Sequence, residues 1–220
     1  MKRVKQLSPG EAKAALYLDF EGEGLIDGTP QPPALAGYEC HRTFEFCILD
    51  PTLALFARGV RQTPWTRSVQ PLAPFIEFLF QKAEAEDRHI CFYSEHEQAV
   101  ITQFTSPALA KAFGARAVNA KLMIQRWQRA KRGKRAEDGK LSTYATLEKL
   151  DASPTPRGGV GEALRKLRKG AEGQTRLRRI KPSLRSLWDE LLLYNHSDVT
   201  TLRRLTVRAA NYLATVSRSP

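Results

Sequence analysis

The chain has 220 residues, 42% hydrophobic and 26% charged, an ordinary globular mixture read as one domain over 1–220. Its 35 Lys/Arg against 23 Asp/Glu leave a formal net charge of +12, which points to a polyanion, either nucleic acid or an anionic membrane surface. No apolar run approaches the ~18 residues of a membrane span, and no signal peptide is visible behind the basic N-terminus. Three cysteines, Cys40, Cys47 and Cys91, have no CxxC spacing, which excludes a disulfide framework or zinc ribbon and suits a reducing cytoplasm.

In chain order, Ala14–Phe20 is a short apolar run ending in acid beside Gly22 and Gly24, a buried strand entering a turn. Tyr38–Leu49 alternates well enough for a second strand. The turn pair Asp50-Pro51 leads into Leu53–Arg58, so a hairpin is expected there. Pro71–Glu86 carries a helical stripe at Leu72, Phe75, Ile76, Leu79, Phe80 and Ala83. His89–Tyr93 reads as another strand, and Ser94 as the cap of a helix containing Glu97, Val100, Ile101 and Phe104. This order implies an α/β fold with a mixed sheet flanked by helices.

After Ser106 the pattern turns helical, with candidates at Pro107–Phe113, Asn119–Ala130 and Leu141–Leu150 and a basic loop over Lys131–Lys140. Asp151–Gly161 is a Pro/Gly-rich connector, Glu162–Lys169 a short basic helix and Gly170–Lys181 a mobile loop. A long final helix runs from near Ser183 to about Ala214. No repeat is evident, so the basic helical region, about 111–185, is read as an insertion before the last helix.

That region holds the whole charge excess. Lys111 to Arg185 contains 21 Lys/Arg and 6 Asp/Glu, whereas the other 145 residues have 14 and 17. A charge run is often only a solvated face. Here Trp127 and Tyr144 flank the KRGKR cluster, and basic residues interleaved with aromatics suit a surface that tracks phosphates and stacks bases. Arg126, Trp127, Arg129, Lys131, Arg132, Lys134, Arg135, Arg176, Arg178 and Arg179 are the candidate nucleic-acid contacts. A membrane is disfavoured, because no basic amphipathic helix with an aromatic apolar face is present.

Three acidic features stand out. Asp19 and Glu21 lie two apart at the end of the first strand, so the strand period puts both carboxylates on one face. Glu95 and Glu97 follow the strand His89–Tyr93, where an acid also serves a helix N-terminus. Tyr194 and Asp198 stand four apart and share a helix face. Asp198 interrupts the apolar stripe of Leu191, Val199, Leu202 and Leu205, and burying it is costly without a partner. Each feature also has a plain reading as an exposed or capping acid.

Together they resemble the RNase H-like 3′–5′ exonuclease superfamily of DEDD type, tyrosine subclass, in its bacterial branch of nuclease domains found alone or beside helicase and nuclease modules. The resemblance spans about residues 14–210. Asp19-Phe20-Glu21 matches the Asp-x-Glu that ends the first strand of that family, and Tyr194-Asn195-His196-Ser197-Asp198 matches its C-terminal Tyr-x-x-x-Asp. Glu97 is taken as the third acid, since Tyr93 to Glu97 fits the Tyr-x-x-x-Glu form of the branch; in the wider superfamily this acid is usually Asp preceded by Asn. The histidine subclass is not matched, because Leu193 stands five residues before Asp198. His196 is then a neighbour or a phosphate contact.

The resemblance implies an RNase H-like sheet and hydrolysis of single-stranded nucleic acid, DNA favoured over RNA. It also implies two Mg²⁺ or Mn²⁺ ions, which would lie roughly 4 Å apart. Hard cations of that kind prefer carboxylates and water. Asp19 would bridge both ions, Glu21 and Asp198 would complete the ligand set, and Glu97 would act through water. Tyr194 would orient the attacking water. A helicase or second nuclease subunit is an implied partner. Two alternatives stay open: a non-catalytic nucleic-acid-binding subunit on the same fold, and a structure-selective endonuclease.

Overall fold

The computed structural model describes residues 5–57, 66–134, 136, 138–151 and 153–216. At its centre lies a mixed six-stranded sheet. The apolar run after Ala15 forms β1 (Leu16–Glu21), which pairs antiparallel with β4 (Leu35–Cys40), and β4 in turn pairs antiparallel with β5 (Thr43–Ile48). On its other edge β1 runs parallel to β7 (Ile90–Phe92), and β7 parallel to β8 (Ala117–Asn119). β6 (Thr66–Val69) closes the far edge beside β5, giving the order β6-β5-β4-β1-β7-β8. A two-stranded ribbon, β2 (Leu25–Ile26) with β3 (Thr29–Pro30), follows β1.

Side-chain alternation on β1 sorts the helices between two layers. Leu16, Leu18 and Phe20 pack under α3 (Leu72–Ala85), α4 (Glu95–Phe104) and α5 (Pro107–Arg116), through Phe75, Ile76, Leu79, Val100, Ile101 and Phe113. Tyr17 faces the opposite layer. There lie α1 (Pro9–Ala14), α6 (Ala120–Arg132), α7 (Leu141–Leu147), α8 (Val160–Ala171) and α9 (Pro182–Val216). Asp19 and Glu21 share the parity of Tyr17, so both point toward α9. The helices of the basic region join this same core through Trp127, Tyr144, Leu164 and Leu167.

α9 has 35 residues, which at 1.5 Å per residue is about 50 Å of helix. Its buried side runs through Trp188, Leu191, Leu192, Asn195, Val199, Leu202 and Leu205. Trp188 stacks on Phe56, with ring centres 5.2 Å apart. Among the described residues no helix is long and apolar enough to cross a membrane.

Several elements differ from the sequence reading. Tyr38–Leu49 is not one strand, because His41 and Arg42 take positive φ (52° and 66°) and fold the chain back as a hairpin. Such turns are usually announced by Asn or Gly, and neither is present here. Asp50-Pro51 opens helical structure instead of a strand. The Asp50 carboxylate accepts from Thr52 N at 2.9 Å, Pro51–Leu53 forms a 3-10 turn and α2 (Ala54–Ala57) follows; Arg58 lies outside the described residues. The loop expected over Gly170–Lys181 contains a 3-10 turn, Leu177–Arg179, and buries Ile180. α1 was unforeseen, although Ser8 and Glu11 form a capping box that announces it.

Candidate metal centre and nucleic-acid interface

α9 crosses the end of β1 so that Asp19, Glu21 and Asp198 meet. One carboxylate oxygen from each lies within 4.8 Å of the other two. Glu21 is buried, while Asp19 and Asp198 are partly exposed. Three carboxylates this close repel one another, and burial adds to the cost of charging them. Burial, then the charges of Glu21, Asp198 and Glu97, hold the Asp19 carboxyl well above its usual range. Burial and the Asp198 charge push Glu21 up to about 8, and burial pushes Asp198 up to about 6.

Tyr194 sits one turn before Asp198, and the phenol and carboxyl pair across that turn. Burial, then the neighbouring carboxylates, raise the phenol above its ordinary value, so it keeps its proton at neutral pH. Glu97 is buried at the start of α4, whereas Glu95 beside it is exposed. Its carboxylate accepts from Ser94 N at 3.2 Å and Ser94 Oγ at 2.8 Å, completing a capping box. The charge of Glu97 still acts on Asp19 and Glu21, but its oxygens lie outside the three-carboxylate group. His196 turns elsewhere and packs edge-on against Phe44, ring centres 4.6 Å apart.

No known protein family, curated protein or solved structure matches this chain.

Sequence reasoning passed over Asn195. Its side chain is fully buried, and Nδ2 donates to Asp19 Oδ2 at 2.7 Å and to Glu21 Oε1 at 3.1 Å. The signal was available, since Asn195 interrupts the apolar stripe of α9 where Leu or Val would be expected. The connector after Asp151 also reaches the site, because Ser153 N donates to Ser197 Oγ at 2.8 Å. Arg168 of α8 ties the segment beyond β1 to the segment beyond β5, pairing with Glu23 and, at 2.6 Å, with Asp50.

The donor set suits a hard divalent cation. All three groups offer carboxylate oxygen, their spacing fits one coordination sphere, and no Lys or Arg is ion-paired with them among the described residues. A second grouping, Cys40, His41 and Glu86, differs in this respect. Arg88 bonds to Glu86 at 2.5 Å and to His41 at 2.7 Å, and Lys82 bonds to Glu86 at 3.1 Å, so fixed cations already neutralise that acid.

The basic region is only partly the surface expected of it. Trp127 is 2% exposed and Tyr144 fully buried, so neither can stack on a base. The reason is helical spacing: Ala120, Met123, Ile124 and Trp127 form the apolar stripe of α6. Lys131 and Arg132 are engaged internally by Glu148, at 2.9 and 3.2 Å, and Gln128 donates to the same carboxylate at 2.8 Å. Arg126 donates to Gln6 Oε1 at 2.9 Å. Arg129, Lys134, Arg176, Arg178 and Arg179 are exposed and carry no ion pair among the described residues. Arg135 lies outside the described residues. A cavity of about 890 Å³ is lined by Arg129, Arg132 and Lys134 with Asp138 and Thr143, and another of about 530 Å³ by Lys166, Lys169, Arg179 and Lys181 with Glu172.

Proposed function

We propose that this chain is a divalent-metal-dependent nuclease on an RNase H-like sheet, removing nucleotides from the 3′ end of single-stranded nucleic acid. The convergence of Asp19, Glu21 and Asp198 at the crossing of β1 and α9 carries the reading. Residues 179 positions apart in the chain meet here with one chemistry, and plain capping or exposure accounts for none of the three. The mixed sheet, with β1 central and helices on both faces, is compatible with the reading.

Asp19, Glu21 and Asp198 would hold Mg²⁺ or Mn²⁺, with Glu97 acting through water toward a second ion. The bound ions supply charge neutralisation and a nucleophilic water at neutral pH. Hydrolysis forms a bond from water oxygen to phosphorus and breaks the bond from phosphorus to the 3′ oxygen, which leaves with a proton. Tyr194, still protonated, orients the water by hydrogen bonding and does not act as its base. Exposed cations lining the two cavities, among them Arg129, Lys134, Lys169 and Arg179, would hold the strand by its phosphates, without base stacking on Trp127.

End-labelled single-stranded DNA and RNA oligonucleotides, linear and circular, test the reading in Mg²⁺, Mn²⁺ or EDTA. Stepwise shortening from the 3′ end with metal, and none in EDTA, is expected. Cleavage of circles would favour an endonuclease. Binding without cleavage under every metal condition would leave the non-catalytic subunit.

A further inference from the structure

We infer that Asn195 is a positioning residue of this centre, its amide fixing the spacing of Asp19 and Glu21 and Gly37 leaving the space it occupies; the inference rests on the metal-centre reading. Asn195 is fully buried among Leu191, Leu192, Val199 and Leu202, where a role in packing alone would be met by an apolar side chain. A buried amide is costly unless it is bonded. Asn195 bonds through Nδ2 alone, to Asp19 and Glu21, while its Oδ1 finds no partner among the described residues. The amide is therefore committed to the two carboxylates, and only its NH₂ end suits two acceptors at once.

β4 is shaped around that contact. Gly37 stands opposite Asp19 in the β1–β4 pairing. A Cβ at Gly37 would overlap Asn195 Oδ1 and come within 2.9 Å of Asn195 Cγ and 2.8 Å of Phe44 Cζ. Gly37 has ordinary strand φ, so its missing side chain answers to space and not to backbone conformation. Asn195 thus bridges two acids from a helix whose own Asp198, three residues on, is the third. With one donor group on two carboxylates, Asp19 and Glu21 are tied to a common point. Outer hydrogen bonds of this kind typically contribute 10–100-fold to metal affinity.

The test is Mn²⁺ binding by calorimetry on the folded full-length chain, with melting in EDTA measured alongside. Asn195→Ala and Gly37→Ala should each weaken Mn²⁺ binding by 10-fold or more, the second because its methyl displaces the amide. The double variant should bind no more weakly than Asn195→Ala alone, since truncating the amide removes its overlap with the new methyl and leaves only the Phe44 ring to shift. A purely structural role predicts lowered melting temperatures with Mn²⁺ affinity within twofold of wild type, and that result overturns the inference. Weakened binding in Gly37→Ala with unchanged binding in Asn195→Ala overturns it too, because strand spacing would then be the cause. Wild-type protein that binds no Mn²⁺ at all overturns the metal centre itself, an outcome distinct from both.

Discussion

Glu97 closes the first turn of α4 onto Ser94, accepting from its Oγ at 2.8 Å, and the same carboxylate raises the cost of charging Asp19 and Glu21. One side chain thus serves a local cap and a distant cluster, and two substitutions separate the roles. Gln at this position preserves a capping box. Glu97→Gln should keep the melting temperature close to wild type or raise it, while weakening Mn²⁺ binding and slowing cleavage. Glu97→Ala should also lose the reciprocal half of the box, lowering the melting temperature, while Ser94 still caps His96 N. Melting curves and calorimetry on both variants check this, and equal metal affinity in all three proteins would confine Glu97 to capping.

The acids also set a pH dependence. Asp19, Glu21, Glu97 and Asp198 all have raised pKa values in the folded chain, about 8 for Glu21 and about 6 for Asp198. Unfolded carboxyls titrate near ~4, so between those values the folded chain binds more protons than the unfolded one. Metal-free stability contributed by these groups should therefore fall as pH rises from about 4 to about 8. Glu86, lowered to about 2 chiefly by Lys82, contributes with the opposite sign but below that window. His196, whose pKa is lowered by burial, opposes the trend within it, so the comparison is with Glu21→Gln. Urea melts in EDTA across this range should show a flatter decline for Glu21→Gln than for wild type. Identical profiles would mean that Glu21 does not titrate as placed.

Tyr194→Phe removes a hydroxyl that stays protonated, so it should affect orientation more than metal binding. Cleavage is expected to slow by roughly 10²-fold with Mn²⁺ affinity unchanged. Single-turnover cleavage with calorimetry reads both, and an unchanged rate would make Tyr194 a packing residue.

The basic region divides into two kinds of cation. Reversing Arg129 and Lys134 to Glu should weaken binding of all single strands alike and lower the salt slope, by about 0.7 for each phosphate no longer neutralised. Reversing Lys131 and Arg132 should instead destabilise the fold, because Glu148 is 9% exposed and would face two like charges, with Arg208 still paired to it at 3.7 Å. Removing a partner from a buried ion pair typically costs about 3–5 kcal/mol, although both cations here are partly exposed and solvent reduces that figure. Fluorescence anisotropy over a salt series, with melting curves, separates the two. Equal effects from both pairs would contradict the division.

What was legible in the chain followed from periodicity. The parity of Asp19 and Glu21 and the four-residue step from Tyr194 to Asp198 could be read from spacing. Their meeting was implied by the family resemblance and not by spacing, because it depends on α9 crossing the end of β1, which no local pattern encodes. Trp127 was misread by weighing its basic neighbours over its place on the stripe of Met123 and Ile124, whose helical spacing already marked it as core. The hairpin at His41-Arg42 had no turn residue to announce it, and β8 is three residues long. Asn195 breaks the apolar stripe of α9, but an uncharged amide carries no signal of the carboxylates it meets from another element.

The central claim, that Asp198 joins Asp19 and Glu21 around a divalent ion, is tested most directly by melting wild type and Asp198→Asn in EDTA and in Mn²⁺. In EDTA the variant should be at least as stable as wild type, because one repelling charge is gone. Mn²⁺ at 100 times its dissociation constant should stabilise wild type by about 2.7 kcal/mol and Asp198→Asn by a small fraction of that. A full Mn²⁺-induced rise in the Asp198→Asn melting temperature would contradict the account.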